Sequence, residues 1–217
     1  MRIFMIGPFP PPIHGMSLAN QMLFDGLRKT HSVCTLNTGG KRSREIGNLS
    51  EQGRISFSKT FDSLAQVMTG VCRILFKGKF DAIYITPGQS MAGYLKYTPF
   101  MWAARIRKIH YYIHIHGGYF RTMYDGLRGC KKRAVDNSLK GLAGAIVLGP
   151  SLRFMFEGLV PDEKIFVCEN GVEDEIFANE EEITQKIERY RTDDTIRVVY
   201  LSNLLESKGI LGLFEAV

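Results

Sequence analysis

Residues 1–17 read M-R-I-F-M-I-G-P-F-P-P-P-I-H-G-M-S, and this stretch decides the fold. Residues 3–7 form a short, continuously apolar run, the pattern of a parallel strand covered on both faces. Prolines at 8 and 10–12 stiffen the exit from that strand. Gly15 then stands just ahead of a stretch with helical period, and Ser17 lies where a cap is expected. Strand, loop and helix in that order open an α/β domain.

The same alternation continues outward. Strands are expected at 2–7, 32–38, 81–86, 111–116, 145–149, 164–168 and 197–202, with A-I-Y-I-T (82–86) and A-I-V-L-G (145–149) as further buried-strand runs. Helices are expected at 16–29, 59–77, 90–107, 121–141 and 151–158, with Ser90 and Ser151 as further caps. The fold class is therefore α/β, a Rossmann-like parallel sheet flanked by helices. The loop at 39–56, rich in Gly, Ser, Lys and Arg, follows the second strand. Residues 173–195 are acidic and polar, with a short helix expected at 180–191. After them I-R-V-V-Y-L-S starts a fresh strand and Lys208-Gly209-Ile210 a fresh helix. The expected organisation is a first domain over 1–172, an acidic linker over 173–195, and a strand-loop-helix start of a second Rossmann-like domain over 196–217. A segment that short cannot bury a core alone, so the second domain reads as incomplete.

Charge divides along the same line. Residues 1–160 carry 22 Lys and Arg against 8 Asp and Glu, a balance of +14; residues 161–217 carry 6 against 14, a balance of −8. The basic groups at 41–44, 105–108 and 131–133 suit an anionic partner such as a membrane surface or a phosphorylated lipid. Aromatic and basic residues are not interleaved as base stacking requires, so nucleic acid is not an expected partner. Cys34, Cys72, Cys130 and Cys168 form no C-x-x-C pair and are expected as buried thiols in a reducing compartment. No stretch offers 18 clean apolar residues, and Met1 leads directly into a strand without a signal peptide. The expected location is cytoplasmic, peripheral at the inner face of the membrane.

Ligands of open α/β sheets bind outside the carboxyl ends of the strands, so the loops that follow strands come first. In residues 7–17 a glycine beside a helix start, Gly15, lets bare N–H groups face a phosphate. Neither a dinucleotide fingerprint nor a P-loop is present. In Y-Y-I-H-I-H-G-G-Y (111–119), strand alternation puts His114 and His116 on one side. His116, at the rim before Gly117, is a hydrogen-bonding group for the cleft, and His114 a satisfied core histidine. H-x-H spacing can hold a metal, but no further ligand set stands near, and none is expected. Asn170-Gly171 marks a turn after a strand. In L-S-N-L-L-E-S-K-G-I (201–210), Lys208 and a helix start converge as a diphosphate would require. No carboxylate pair in these loops suggests a double-displacement glycosidase.

The order of these four loops resembles glycosyltransferase family 4, most specifically over 169–177 and 200–210. That resemblance implies the GT-B fold, with an acceptor-side first domain and a nucleotide-sugar-binding second one. It implies a retaining hexosyltransferase that uses a nucleoside diphosphate sugar, requires no metal or other cofactor, and acts on a glycan or lipid-linked acceptor in surface polysaccharide biosynthesis. Gly15 would lie near the donor phosphate and His116 would contact the transferred sugar, with His14, Gly117 and Asn170 toward the acceptor or cleft. Asn203 and Lys208 take the positions of the family's Arg and Lys, which neutralise the departing diphosphate. Two departures stand out: asparagine replaces arginine at 203, and the family's paired-glutamate motif would fall beyond Val217. By this reading the chain alone is inactive. The alternatives are a non-catalytic acceptor- or partner-binding half of a split or truncated transferase, and a GT-B relative such as a nucleotide-sugar epimerase.

Overall fold

The computed structural model describes residues 1–39, 57–171, 177–191, 193, 195–201 and 209–216, with side chains described from residue 63 onward in the helix that begins at 57. It divides into two units, Met1–Gly171 and Val172–Val217.

The first unit is built on six parallel strands in the order β2-β1-β3-β4-β5-β6: β1 (Arg2–Gly7), β2 (Ser32–Asn37), β3 (Ala82–Ile85), β4 (His110–Ile115), β5 (Gly144–Val147) and β6 (Ile165–Val167). The expected α/β, Rossmann-like fold is the observed one. Strand order reverses at β1, whose Ile3 pairs with Val33 of β2 on one side and Ala82 of β3 on the other. The carboxyl ends of β1 and β3 therefore flank a switch point, where such sheets open a crevice.

Helix α1 (Gly15–Leu27) covers the face carrying Ile3, Met5 and Tyr84, through Leu23, Phe24 and Leu27. The opposite face is deeper. There Phe4, Ile6, Ile83, Ile85, Ile113 and Val147 meet helices α2 (Phe57–Cys72), α3 (Met91–Leu95), α4 (Thr98–Ile106), α5 (Phe120–Asp125) and α6 (Gly129–Leu139). Phe4, Phe100, Phe120 and Phe156 are fully buried in that layer; each contributes on the order of 2–3 kcal/mol by leaving water. β1 is buried on both faces from Ile3 onward, which explains its unbroken apolar run.

Several expected elements change shape. The helix expected at 90–107 breaks into α3 and α4 because Pro99 has no N–H to give the Leu95 carbonyl four residues back; the Thr98 hydroxyl donates to that carbonyl instead, at 2.9 Å. The helix expected at 121–141 breaks into α5 and α6, where Gly129 takes φ +57°, a left-handed conformation that glycine adopts freely. Residues Pro150–Phe156 form a 3-10 rather than an α-helix, and α2 runs on into a π-helical turn at Arg73–Lys77. Ser90 caps α3 as expected, but Ser151 lies inside the 3-10 helix and caps nothing. The four cysteines are free, but exposed rather than buried; Cys34, for instance, lies on β2, the edge strand of the sheet among the described residues.

In the second unit, α7 (Glu180–Arg191) forms where a helix was expected. Asn179 and Glu182 close a reciprocal capping box at 2.9 and 3.0 Å. A helix, α8, also follows at Ile210–Ala216. The strand expected at 197–202 is not formed over the described residues 195–201. A strand exists only through a hydrogen-bonded neighbour, and here Ile196, Val199 and Leu201 stand more than four-fifths exposed. Among the described residues no helix is long and apolar enough to cross a membrane.

Candidate functional site at the carboxyl edge of the sheet

At the switch point the chain is fastened by one buried side chain. The Asn20 amide donates to the Pro8 carbonyl and to the Thr86 hydroxyl, both at 2.8 Å, tying the exit of β1 to that of β3. Gly7 is required beneath it: a Cβ there would lie 1.9 Å from Thr86 Oγ1 and 2.6 Å from Asn20 Nδ2. Asn37 fastens the other flank, donating to the Phe9 carbonyl at 3.0 Å and accepting from the Phe9 N–H at 3.1 Å.

Held in this way, the loop delivers α1 with its amino terminus at the edge. His14, not Ser17, is the N-cap. Its Nδ1 accepts from the Ser17 N–H at 3.3 Å, and Ser17 Oγ accepts from the His14 N–H at 2.9 Å. This reciprocal cap satisfies the third helical N–H and leaves those of Gly15 and Met16 without an intrahelical acceptor. Gly15 is exposed, and among the described residues nothing beyond its chain neighbours and its own helix backbone lies within 4 Å of where a side chain would begin. The helix start is therefore bare, and its dipole and free N–H groups favour an anion.

The second element follows β4. That strand ends at Ile115, so His116 is the first residue of the loop. Gln89 clamps the loop from outside: its Nε2 donates to the His116 carbonyl at 2.7 Å, and its Oε1 accepts from the Tyr119 N–H at 2.6 Å. Gly117, at φ +133°, passes so close that a Cβ would meet Gln89 Nε2 at 2.3 Å. The His116 ring lies against that of His114, centroids 4.1 Å apart. Burial holds His116 down at about 4; burial first, and then the neighbouring His116, hold His114 down at about 3. Both rings are thus neutral near pH 7 and act as hydrogen-bonding groups rather than cations.

Tyr84 OH lies 2.6 Å from His114 Nδ1. Burial, with a smaller contribution from Cys168, pushes this phenol well above the ordinary tyrosine range. It stays protonated and occupies His114 Nδ1, so the ring nitrogen that remains is Nε2. That nitrogen is buried and has no partner among the described residues, as is true of His116 Nε2. His114 is therefore only half satisfied, which corrects the expectation of a fully satisfied core histidine. His116 is half-buried and its Nδ1 makes no hydrogen bond among the described residues, which leaves that ring atom for a ligand.

A third group went unread in the sequence. Lys96 Nζ donates to the Thr38 carbonyl at 3.0 Å at the end of β2, and burial lowers its pKa. Beside it Tyr97 OH meets Thr38 Oγ1 at 2.6 Å, and burial pushes Tyr97 up to about 12. Lys96 therefore brings a partly dehydrated cation to this edge. The signal for it was a lone lysine in an otherwise apolar helical stretch; for Gln89 it was the loop directly after a strand.

Of the residues expected to act, His14, Gly15, His116 and Gly117 gather at the carboxyl edges of β1 and β4. With only β3 between, these edges are about 10 Å apart. Asn170 is exposed and follows β6, the far edge strand, so it does not join them. Asn203 and Lys208 fall outside the described residues. Among the described residues no group of three or more His, Cys, Asp or Glu is placed to hold a metal.

No protein-family model matches the sequence, and no curated protein matches it. Among solved structures, a crystal structure of Acinetobacter baumannii MurG aligns over 79% of this chain with 14% identity and a TM-score of 0.38. The chain spans 46% of the length of that protein.

Proposed function

We propose that this chain is the acceptor-side part of a GT-B glycosyltransferase. In this reading it transfers a hexose, with retention, from a nucleoside diphosphate sugar to a glycan or lipid-linked acceptor in surface polysaccharide synthesis. The observation that supports it best is the combination at one sheet edge of a bare helix start, Gly15–Met16, with a neutral imidazole, His116, in a glycine-rich loop. The first suits a phosphate and the second a sugar hydroxyl. In the proposed reaction the Gly15 and Met16 N–H groups hold a donor phosphate and His116 orients the sugar. Lys208, assisted by Asn203, meets the charge that develops on the departing diphosphate, the kind of fixed electrostatic stabilisation that often dominates catalysis. His14 and Gly117 then border the acceptor, and Asn170 stands farther out along the same edge. The excess of basic residues over 1–160 would hold the protein against an anionic inner membrane surface or an anionic acceptor.

The second reading, a non-catalytic module that binds acceptor or partner, is favoured by the replacement of arginine with Asn203. Calorimetric titration of the chain with a panel of nucleoside diphosphates separates the two. The transferase reading expects saturable heat with at least one of them, weakened about tenfold or more by Lys208→Ala, as for loss of one charge-assisted contact. No heat with any member of the panel would leave the binding module as the better account.

A further inference from the structure

We infer that the opposite, amino-terminal edge of the sheet carries a second site, a receptor for a phosphate-type anion built from Arg105, Lys108, His110 and Lys164. These four line a depression of about 310 Å³ formed where the chain enters β4, β5 and β6. That volume is at the small end of ligand pockets and suits a phosphate, a diphosphate or a sugar phosphate. No carboxylate lines it, and among the described residues none of the four forms an ion pair. With no counter-ion beside them, Arg105, Lys108 and Lys164 repel one another across the depression until an anion enters.

Arg105, Lys108 and His110 are exposed and Lys164 is half-buried, and three details set them apart from an unordered basic surface. Arg105 is pinned, with Nη1 donating to the Asn137 carbonyl at 2.6 Å, while Nε and Nη2, the edge that grips an oxyanion in a fork, have no acceptor among the described residues. Its stem lies on the bare Cα of Gly141, where a Cβ would come within 2.6 Å of Arg105 Cδ. Lys164 Nζ is likewise fixed, donating to the Leu142 carbonyl at 3.2 Å. Lys108 closes α4 with its N–H on the Arg105 carbonyl, while the Ile109 N–H bonds the Ala104 carbonyl, a helix-ending turn that calls for a left-handed residue. Glycine is the usual choice there, yet the position holds a lysine at φ +56°, the single non-glycine residue with positive φ among the described residues. The unfavourable conformation keeps an ammonium group at the mouth of the depression. The phosphoryl group could come from a free metabolite or from a lipid headgroup, and recognition is the same for both. Since this site lies at the opposite ends of the strands from Gly15 and His116, it is independent of the transferase reading.

Lys108→Gly removes the cation and relieves the backbone together, so a binding loss cannot be ascribed to misfolding. Thermal unfolding of the chain is followed with rising inorganic pyrophosphate at constant ionic strength. Wild type should gain midpoint steadily with pyrophosphate. Lys108→Gly should melt higher than wild type without ligand and lose affinity about tenfold or more, as should Lys164→Gln. Lys131→Gln, which removes one charge outside the depression, should stay within about twofold of wild type. Vesicles of phosphatidic acid against phosphatidylcholine identify the source: capture that is lost in Lys108→Gly and competed by pyrophosphate assigns a lipid headgroup, and pyrophosphate binding without capture assigns a soluble ligand. The site is refuted if neither probe binds, or if Lys108→Gly and Lys164→Gln bind both as wild type does. An equal loss in Lys131→Gln also refutes it, since that reports net charge alone.

Discussion

In the complete transferase proposed here, His116→Ala lowers kcat by about 100- to 1000-fold, the range for deleting one fixed donor at a reacting group, whereas His114→Gln costs less than about tenfold. The two rings touch, lie on one side of the chain and are both held neutral. What separates them is access. His114 is 5% exposed and committed to Tyr84 through Nδ1, so its work is to support its neighbour. His116 leads the loop, is fixed through its carbonyl by Gln89, and keeps Nδ1 for a ligand. Steady-state kinetics on both variants tests the distinction. Equal losses, or a bound metal found by elemental analysis, would remove His116 from the role assigned to it.

Acid weakens this fold through the same pair. An unfolded chain protonates histidine near its ordinary 6.5, while the folded rings resist to about 4 and about 3. Between those limits the unfolded state binds more protons, so stability is greatest above 6.5 and declines as pH falls. The slope approaches about 1.4 kcal/mol per pH unit for each ring. The loss continues to the folded values and is complete below them. Urea unfolding at a series of pH values should therefore show a falling midpoint in wild type and a visibly flatter one in His114→Gln. A midpoint that is level from about pH 7 to about pH 4.5 would contradict the buried, neutral state of the two rings.

The parallel sheet was legible because burial on both faces leaves its mark on consecutive residues, as in 3–7 and 145–149. Its limits were less so. The same apolar pattern at 196–202 forms no strand over the described residues, since hydropathy records what a segment could bury and not whether a partner strand is present. Breaks inside helices are local events with local causes: Pro99 was readable as one, whereas the left-handed turn at Gly129 depends on how α5 and α6 both reach the sheet. At the site, Gly15 and His116 could be picked out because each follows a strand. Gln89 could not be tied to His116, 27 residues away, nor Lys96 to Thr38, 58 residues away, because neither bond leaves a spacing in the sequence. His14 displaced Ser17 as the cap for a similar reason. A histidine is a rare N-cap, and only the loop geometry set by Asn20 and Asn37 turns Nδ1 toward the Ser17 N–H.

The claim that the carboxyl edge is a sugar site served by neutral His116 is met most directly by nitrogen-15 NMR of the histidine rings. The chain is titrated with nucleoside diphosphate hexoses at neutral pH. The account predicts unprotonated rings for His114 and His116 before ligand, followed by a saturable shift of the His116 nitrogens well beyond that of His31. A charged His116 ring at neutral pH, or a ring signal unmoved by every donor in the panel, would contradict it.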